Sequence, residues 1–181
     1  MAAPTGEGWA GIIIDDRFLP ERRGLAAARR ALEGWKGLLI CDFERDPSPL
    51  SVELVRSLSG ARVVLPPAWA ALPHAAVLVG PWTGEVSFSR WLKDRQARYG
   101  ALVLDGLPLR AAADPGGSWE PWTRPLPGHG FPCSGLGCLH RRLPDGRIVF
   151  WDTQKTLLER IKTAGVPVIV FSEDWEQLQE R

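Results

Sequence analysis

Tyrosine and methionine are almost missing from this chain, one of each, and cysteine is scarce at three. A small, odd number of thiols makes no disulfide framework, so an apolar core must hold the fold, and a reducing cytoplasmic setting is expected. An excess of one charge is missing as well: 22 basic against 21 acidic residues leave a formal net charge of +1. That balance gives no field for nucleic acid or an anionic membrane, and neither is expected as a partner. No apolar run approaches a membrane span, and Met1 to Trp9 lacks the basic stretch and apolar core of a signal peptide. A Gly-rich phosphate loop is not found, because Gly135 and Gly137 follow no clear strand and precede no amphipathic helix. A serine triad lacks candidates too, since His74, His129 and His140 read as loop residues without a nucleophile elbow. No cofactor is expected.

What is present is an ordinary globular composition with one bias, nine tryptophans, beside 19 glycines and 16 prolines. With 181 residues, 45% of them hydrophobic, the chain is long enough for one domain with a substantial core. Its organising stretch is Gly37-Leu38-Leu39-Ile40-Cys41-Asp42-Phe43-Glu44, a short apolar run ending in two carboxylates. The run predicts a strand buried on both faces, with Asp42 and Glu44 on one side because side chains alternate.

The same pattern recurs. Gly11 to Asp16, Arg62 to Leu65, Ala75 to Val79, Gly100 to Leu104 and Pro167 to Phe171 read as further strands. Helices are predicted between them: Glu21 to Gly34 by the spacing of Leu25, Ala28 and Leu32, and a short one opened by the cap Ser48-Pro49. Two more follow Ser87 and Thr153, and Gly165 stops the last. The first three strand starts lie roughly 25 residues apart, the pace of a βα repeat. Several strands end in a carboxylate or a tryptophan, namely Asp15 and Asp16, Asp42 and Glu44, Trp69, Trp82, Asp105, Glu173 and Trp175. Apolar strands with a polar, aromatic rim at their carboxyl ends imply one functional face. Trp69 and Trp82 are candidates to line a groove there, while Trp35 and Trp91 read as core.

Between Ala111 and Gly146 the alternation stops. This Pro- and Gly-rich segment reads as an inserted excursion over about 111–151: a long loop with exposed Trp119 and Trp122, a hairpin around Pro144-Asp145-Gly146, and a return strand from Arg147 to Trp151. Within it His129, Cys133, Cys138 and His140 offer four soft ligands of the type zinc takes, at a spacing that matches no common zinc module. Buried or free thiols are the simpler expectation, for Cys41 as well.

Read together, these segments resemble glycoside hydrolase family 18, the chitinase-type barrel. Cys41-Asp42-Phe43-Glu44 is similar to the end of that family's Asp-x-x-Asp-x-Asp-x-Glu signature, and Ala101 to Leu109 resembles its seventh strand. Ile148 to Phe171, a strand, an aromatic-Asp pair, a capped helix and a final strand, resembles its closing segment. The compact length resembles short barrel relatives of bacteria of the clostridial group. The resemblance implies a single α/β domain over 1–181, a (β/α) TIM-barrel-like fold left incomplete at about six parallel strands. An open edge would then allow a homodimer.

It also implies a chemistry. Family members cleave β-linked N-acetylhexosaminides with Glu as acid and the Asp two residues before it holding the substrate's acetamido group, which places those roles on Glu44 and Asp42. Trp175 falls where the family floors a sugar subsite, and Trp69, Trp82, Asp15 and Asp105 would line the groove. Departures are present: Ile40 stands where the signature has Asp, and Val79-Gly80-Pro81-Trp82 lacks the family's Tyr. The expectation is therefore a divergent member that binds an amino-sugar oligosaccharide with reduced or no hydrolysis. An active N-acetylglucosaminidase using Glu44 and Asp42 is one alternative, and a non-catalytic structural or interaction protein the other.

Overall fold

The computed structural model of the chain describes residues 11–18, 21–58, 60–73, 75–170 and 178. In chain order the elements begin with β1 (Gly11–Asp15), a 3-10 turn (Asp16–Phe18), α1 (Glu21–Ala31), β2 (Leu38–Asp42), α2 (Pro49–Ser57) and β3 (Arg62–Leu65). There follow β4 (Ala76–Val79), α3 (Phe88–Tyr99), β5 (Leu102–Asp105), β6 (Arg110–Ala113) and β7 (Trp119–Pro121). The chain continues with β8 (Phe131–Cys133), β9 (Cys138–Arg142), β10 (Ile148–Trp151), α4 (Gln154–Ala164) and β11 (Val168–Ile169).

The architecture is α/β. One six-stranded sheet has the order β1-β2-β3-β4-β5-β11, and the pairs β1–β2, β2–β3, β3–β4 and β5–β11 are parallel. A second, five-stranded sheet has the order β7-β6-β10-β9-β8 and is antiparallel throughout. It corrects the expectation of a long loop, since β6, β7, β8 and β9 form within that excursion, while the hairpin around Pro144-Asp145-Gly146 and the return strand β10 stand where the sequence puts them. The chain divides into two compact units. One runs to Leu78 and includes Tyr99–Leu102, and the other comprises Val79–Arg98 and the chain from Val103 onward.

In the first unit the apolar strands do what their sequence demands. Leu39, Cys41 and Phe43 alternate onto one face of β2 and join Ile14, Val63 and Leu65 in a core closed by Ala28 and Leu32 of the α1 segment and Leu54, Val55 and Leu58 of the α2 segment. Burying each such leucine or valine is worth about 1.5–3 kcal/mol. The helix α2 starts where Ser48 predicts: its hydroxyl accepts from the Ser51 N–H while the Ser51 hydroxyl accepts from the Ser48 N–H, a reciprocal cap.

In the second unit the antiparallel sheet has its own apolar face, where Ala112, Val149 and Trp151 pack with Trp122. Trp122 is buried there, against the expectation that it is exposed, because the loop after β7 folds back over the sheet. Its indole N–H donates to the Pro125 carbonyl. Trp119 stacks on Phe150 at 4.8 Å. The helix α4 opens on a second reciprocal cap, Thr153 with Thr156, and ends on Gly165 at φ +63°, a left-handed position that suits glycine. Among the described residues no helix is long and apolar enough to cross a membrane.

Candidate functional site

The carboxyl ends of β1 and β2 bring three of the sequence-selected carboxylates together, and an arginine that the sequence reading passed over organises them. Asp15 and Asp42 are direct partners in the parallel register of the two strands. Directly after β1 the chain turns, and the guanidinium of Arg17 folds back onto Asp15, with Nε donating to Oδ1 at 2.9 Å and Nη2 to Oδ2 at 2.5 Å. The Arg17 backbone N–H also donates to Asp15 Oδ1 at 2.8 Å. Glu44 lies 3.3 Å from Nη1 of the same guanidinium.

The electrostatics follow from this fork. Hydrogen bonds from the Arg17 side chain hold the Asp15 carboxyl below the usual carboxylate range, the burial of the group opposing the shift. Arg17 is in turn held more firmly protonated, first by Asp15, then by Glu44, with Asp42 adding its field. Asp42 itself is exposed and takes no hydrogen bond or ion pair among the described residues, so its oxygens face water. The rim therefore carries three carboxylates around one cation.

A fourth carboxylate supports it from below. Asp16 is 8% exposed and accepts the backbone N–H groups of Glu44 and Arg45, each at 3.0 Å. That pair of bonds fixes the loop leaving β2 against the turn leaving β1, and so sets where Glu44 stands. Sequence alone marked Asp16 only as a strand-end acid; a pair of adjacent aspartates after a buried strand was the available signal.

The aromatic candidates are placed differently. Trp69 is 1% exposed, its indole N–H donating to the Arg45 carbonyl and its ring 4.9 Å from Phe43. Trp82, in the second unit, is 5% exposed; Arg160 covers one face of its ring at 4.2 Å and Phe88 meets it edge-on at 5.6 Å. Both belong to cores. Asp105, also in the second unit, ends β5 with an Oδ1 that accepts the Leu107 N–H at 3.0 Å, and its side chain stands against Gly80. Trp175, Glu173 and His74 lie outside the described residues.

The Cys/His group of the excursion is dispersed over the second sheet. Cys133 and Cys138 are direct partners across β8 and β9, both as free thiols. His140 is a strand residue of β9 and not a loop residue, its ring stacked 6.0 Å from Phe150 with a buried Nδ1 that has no hydrogen-bond partner among the described residues. His129 is exposed on the loop before β8. Among the described residues no group of three or more His, Cys, Asp or Glu is disposed to hold a metal ion. Burial pushes the Cys138 thiol up to about 12, with the neighbouring Cys133 adding to the shift.

No protein-family model matches this sequence, and it matches neither a curated protein nor a solved structure.

Proposed function

We propose that the protein is a divergent relative of the family 18 barrels that binds an amino-sugar glycan at the rim of Asp15, Asp42 and Glu44 and does not hydrolyse it. The reading takes the six-stranded sheet as an incomplete (β/α) barrel whose strand carboxyl ends carry the site. The observation that carries it is the state of Glu44. A general acid for glycoside cleavage needs an enclosure that excludes water and keeps the proton on. Glu44 has a side chain 61% exposed and stands in an ion pair with Arg17. Asp42, by contrast, presents unengaged acceptors of the kind that hydroxyl and acetamido N–H donors seek.

Titration of the protein with chito-oligosaccharides in a calorimeter, beside a fluorogenic chito-oligosaccharide assay, tests this. Saturable heat that Asp42→Ala weakens about tenfold, with no turnover, is the expected result. Turnover that vanishes in Glu44→Gln would overturn it in favour of a hydrolase. A second reading, self-association, is favoured by Ile13, which is 52% exposed on β1, an end strand of the sheet order. Absence of sugar binding together with a concentration-dependent dimer in light scattering would move the weight there.

A further inference from the structure

The second unit carries a cleft of about 530 Å³ that the glycan reading does not use. This volume lies within the usual range of small-molecule sites. Its lining includes Pro125 and Leu126 of the loop after β7, Leu139 of β9 and Trp151 of β10. Trp151 pairs directly with Leu139 on one side and with Arg110 on the other, and residues opposed in an antiparallel ladder share a face. The apolar floor and the arginine are thus set side by side by the register of three strands.

Arg110 is half-buried, and its side chain makes no hydrogen bond or ion pair among the described residues. The other arginines that face this unit's interior or its loops are engaged. Arg160 grips Asp152, Arg147 bridges Asp145 and Glu120, and Arg141 donates to the carbonyl of Pro127. Asp152, the carboxylate in the cleft lining, is no counterion for Arg110. Its oxygens are taken by both Nη groups of Arg160 and by the Leu109 N–H at 2.7 Å, and its side chain is 0% exposed. A half-buried guanidinium without an anion is an unbalanced cost in a folded protein, and one that an anionic ligand removes.

The geometry points to a binding site in this cleft for a small monocarboxylate with a flat or aliphatic apolar body. The carboxylate meets the planar fork of Arg110, which matches it with two parallel N–H donors. The body lies over Pro125, Leu126 and Leu139, with Trp151 buried beneath them. His129, exposed at the same cleft, adds one ring N–H donor. One fixed cation over an apolar floor balances one negative charge; a phosphate dianion would leave its second charge uncompensated. The site stands apart from the carboxylate rim in its residues and its chemistry, and rests on none of that reading.

Titration of the full chain with benzoate and indole-3-acetate, followed by calorimetry, tests it, with benzamide as the neutral isostere and phenyl phosphate as the dianion. Saturable carboxylate binding is expected, with benzamide and phenyl phosphate each weaker by about tenfold or more. Arg110→Gln is expected to lose carboxylate binding to the same degree, with its circular dichroism and melting unchanged. Arg142→Gln, an exposed change on β9, is expected to bind as the parent does. Equal binding of benzoate and benzamide would overturn the proposal, as would retention in Arg110→Gln or no saturation up to about 10 mM. Tighter binding of phenyl phosphate than of benzoate would overturn the carboxylate assignment.

Discussion

Arg160 closes on both oxygens of Asp152, at 2.5 Å to each, eight residues along the chain from it and with almost no water reaching either side chain. The same guanidinium lies over the Trp82 ring at 4.2 Å, so one side chain of α4 serves a carboxylate and an aromatic ring together. Asp152 also accepts the Leu109 N–H at 2.7 Å, and the Thr156 hydroxyl lies 3.0 Å from it. Removing one partner of a buried pair leaves an uncompensated charge. Asp152→Ala is expected to cost about 3–5 kcal/mol in urea unfolding, and Arg160→Met a similar amount. The double variant should lose clearly less than the two together, by at least about 1 kcal/mol. Additive losses would show that the two side chains do not act as a unit.

Much of the parallel sheet was legible because its strands read as short apolar runs, Leu38 to Cys41 and Val63 to Leu65 among them, which in β2, β3 and β5 are buried on both faces. Helix starts were legible where a hydroxyl stood at the cap, at Ser48 and Thr153, and the last helix's stop where Gly165 supplied a left-handed residue. The antiparallel sheet was legible only in the hairpin around Pro144-Asp145-Gly146 and the return strand β10. Two of its strands are three residues long and contain proline, Trp119–Pro121 and Phe131–Cys133, too short to show any period. Its strand β6, between β7 and the central β10, is largely alanine, which lets Trp122 and Trp151 crowd in and carries no alternation of its own. At the rim, Asp15, Asp42 and Glu44 were found by their place after strands. Arg17 was missed because a turn, not a periodicity, folds it back onto Asp15.

The rim depends on Asp16, whose carboxylate takes two backbone N–H groups from the loop after β2. Asp16→Ala strips both acceptors at a site that is nearly closed to water. A loss of about 1–3 kcal/mol is expected in urea unfolding. The more specific readout is hydrogen exchange, where the Glu44 and Arg45 amides should lose protection well beyond that of the β2 amides. Unchanged protection at those two amides would remove Asp16 from its positioning role.

Gly106 sits where two strands come closest. Its N–H donates to the Ile169 carbonyl at 2.7 Å, and a Cβ there would stand 2.7 Å from Val170, 2.8 Å from Val168 and 2.9 Å from the Ile169 oxygen. That oxygen is backbone and cannot swing aside, so Gly106→Ala must push β11 away from β5. A destabilisation of about 1–3 kcal/mol is expected. Gly135→Ala, where an added methyl meets nothing within 4 Å, should stay within about 0.5 kcal/mol of the parent. Equal behaviour of the two variants in thermal melts would mean that the β5–β11 approach is looser than described.

Cys41 is 1% exposed at the centre of the β1–β3 core, and burial pushes its thiol from an ordinary value of 9.0 up to about 12. A raised thiol value means that the folded chain keeps a proton the unfolded chain gives up. Stability from this group is therefore complete below pH 9 and is lost as the pH climbs from about 9 toward 12, at up to about 1.4 kcal/mol per pH unit. Urea unfolding between pH 9 and 11 is expected to show this slope in the parent and a shallower one in Cys41→Ala, by close to one proton. The variant will be less stable at pH 7 because a methyl fills less of the core than a thiol, which is why the slope and not the midpoint is the test. Alkylation gives the independent check. In the folded protein iodoacetamide should reach the partly exposed Cys133 first and leave Cys41 unmodified, since a buried neutral thiol is a poor nucleophile. Parallel slopes in parent and variant, or rapid labelling of Cys41, would place that thiol in contact with water and outside the core.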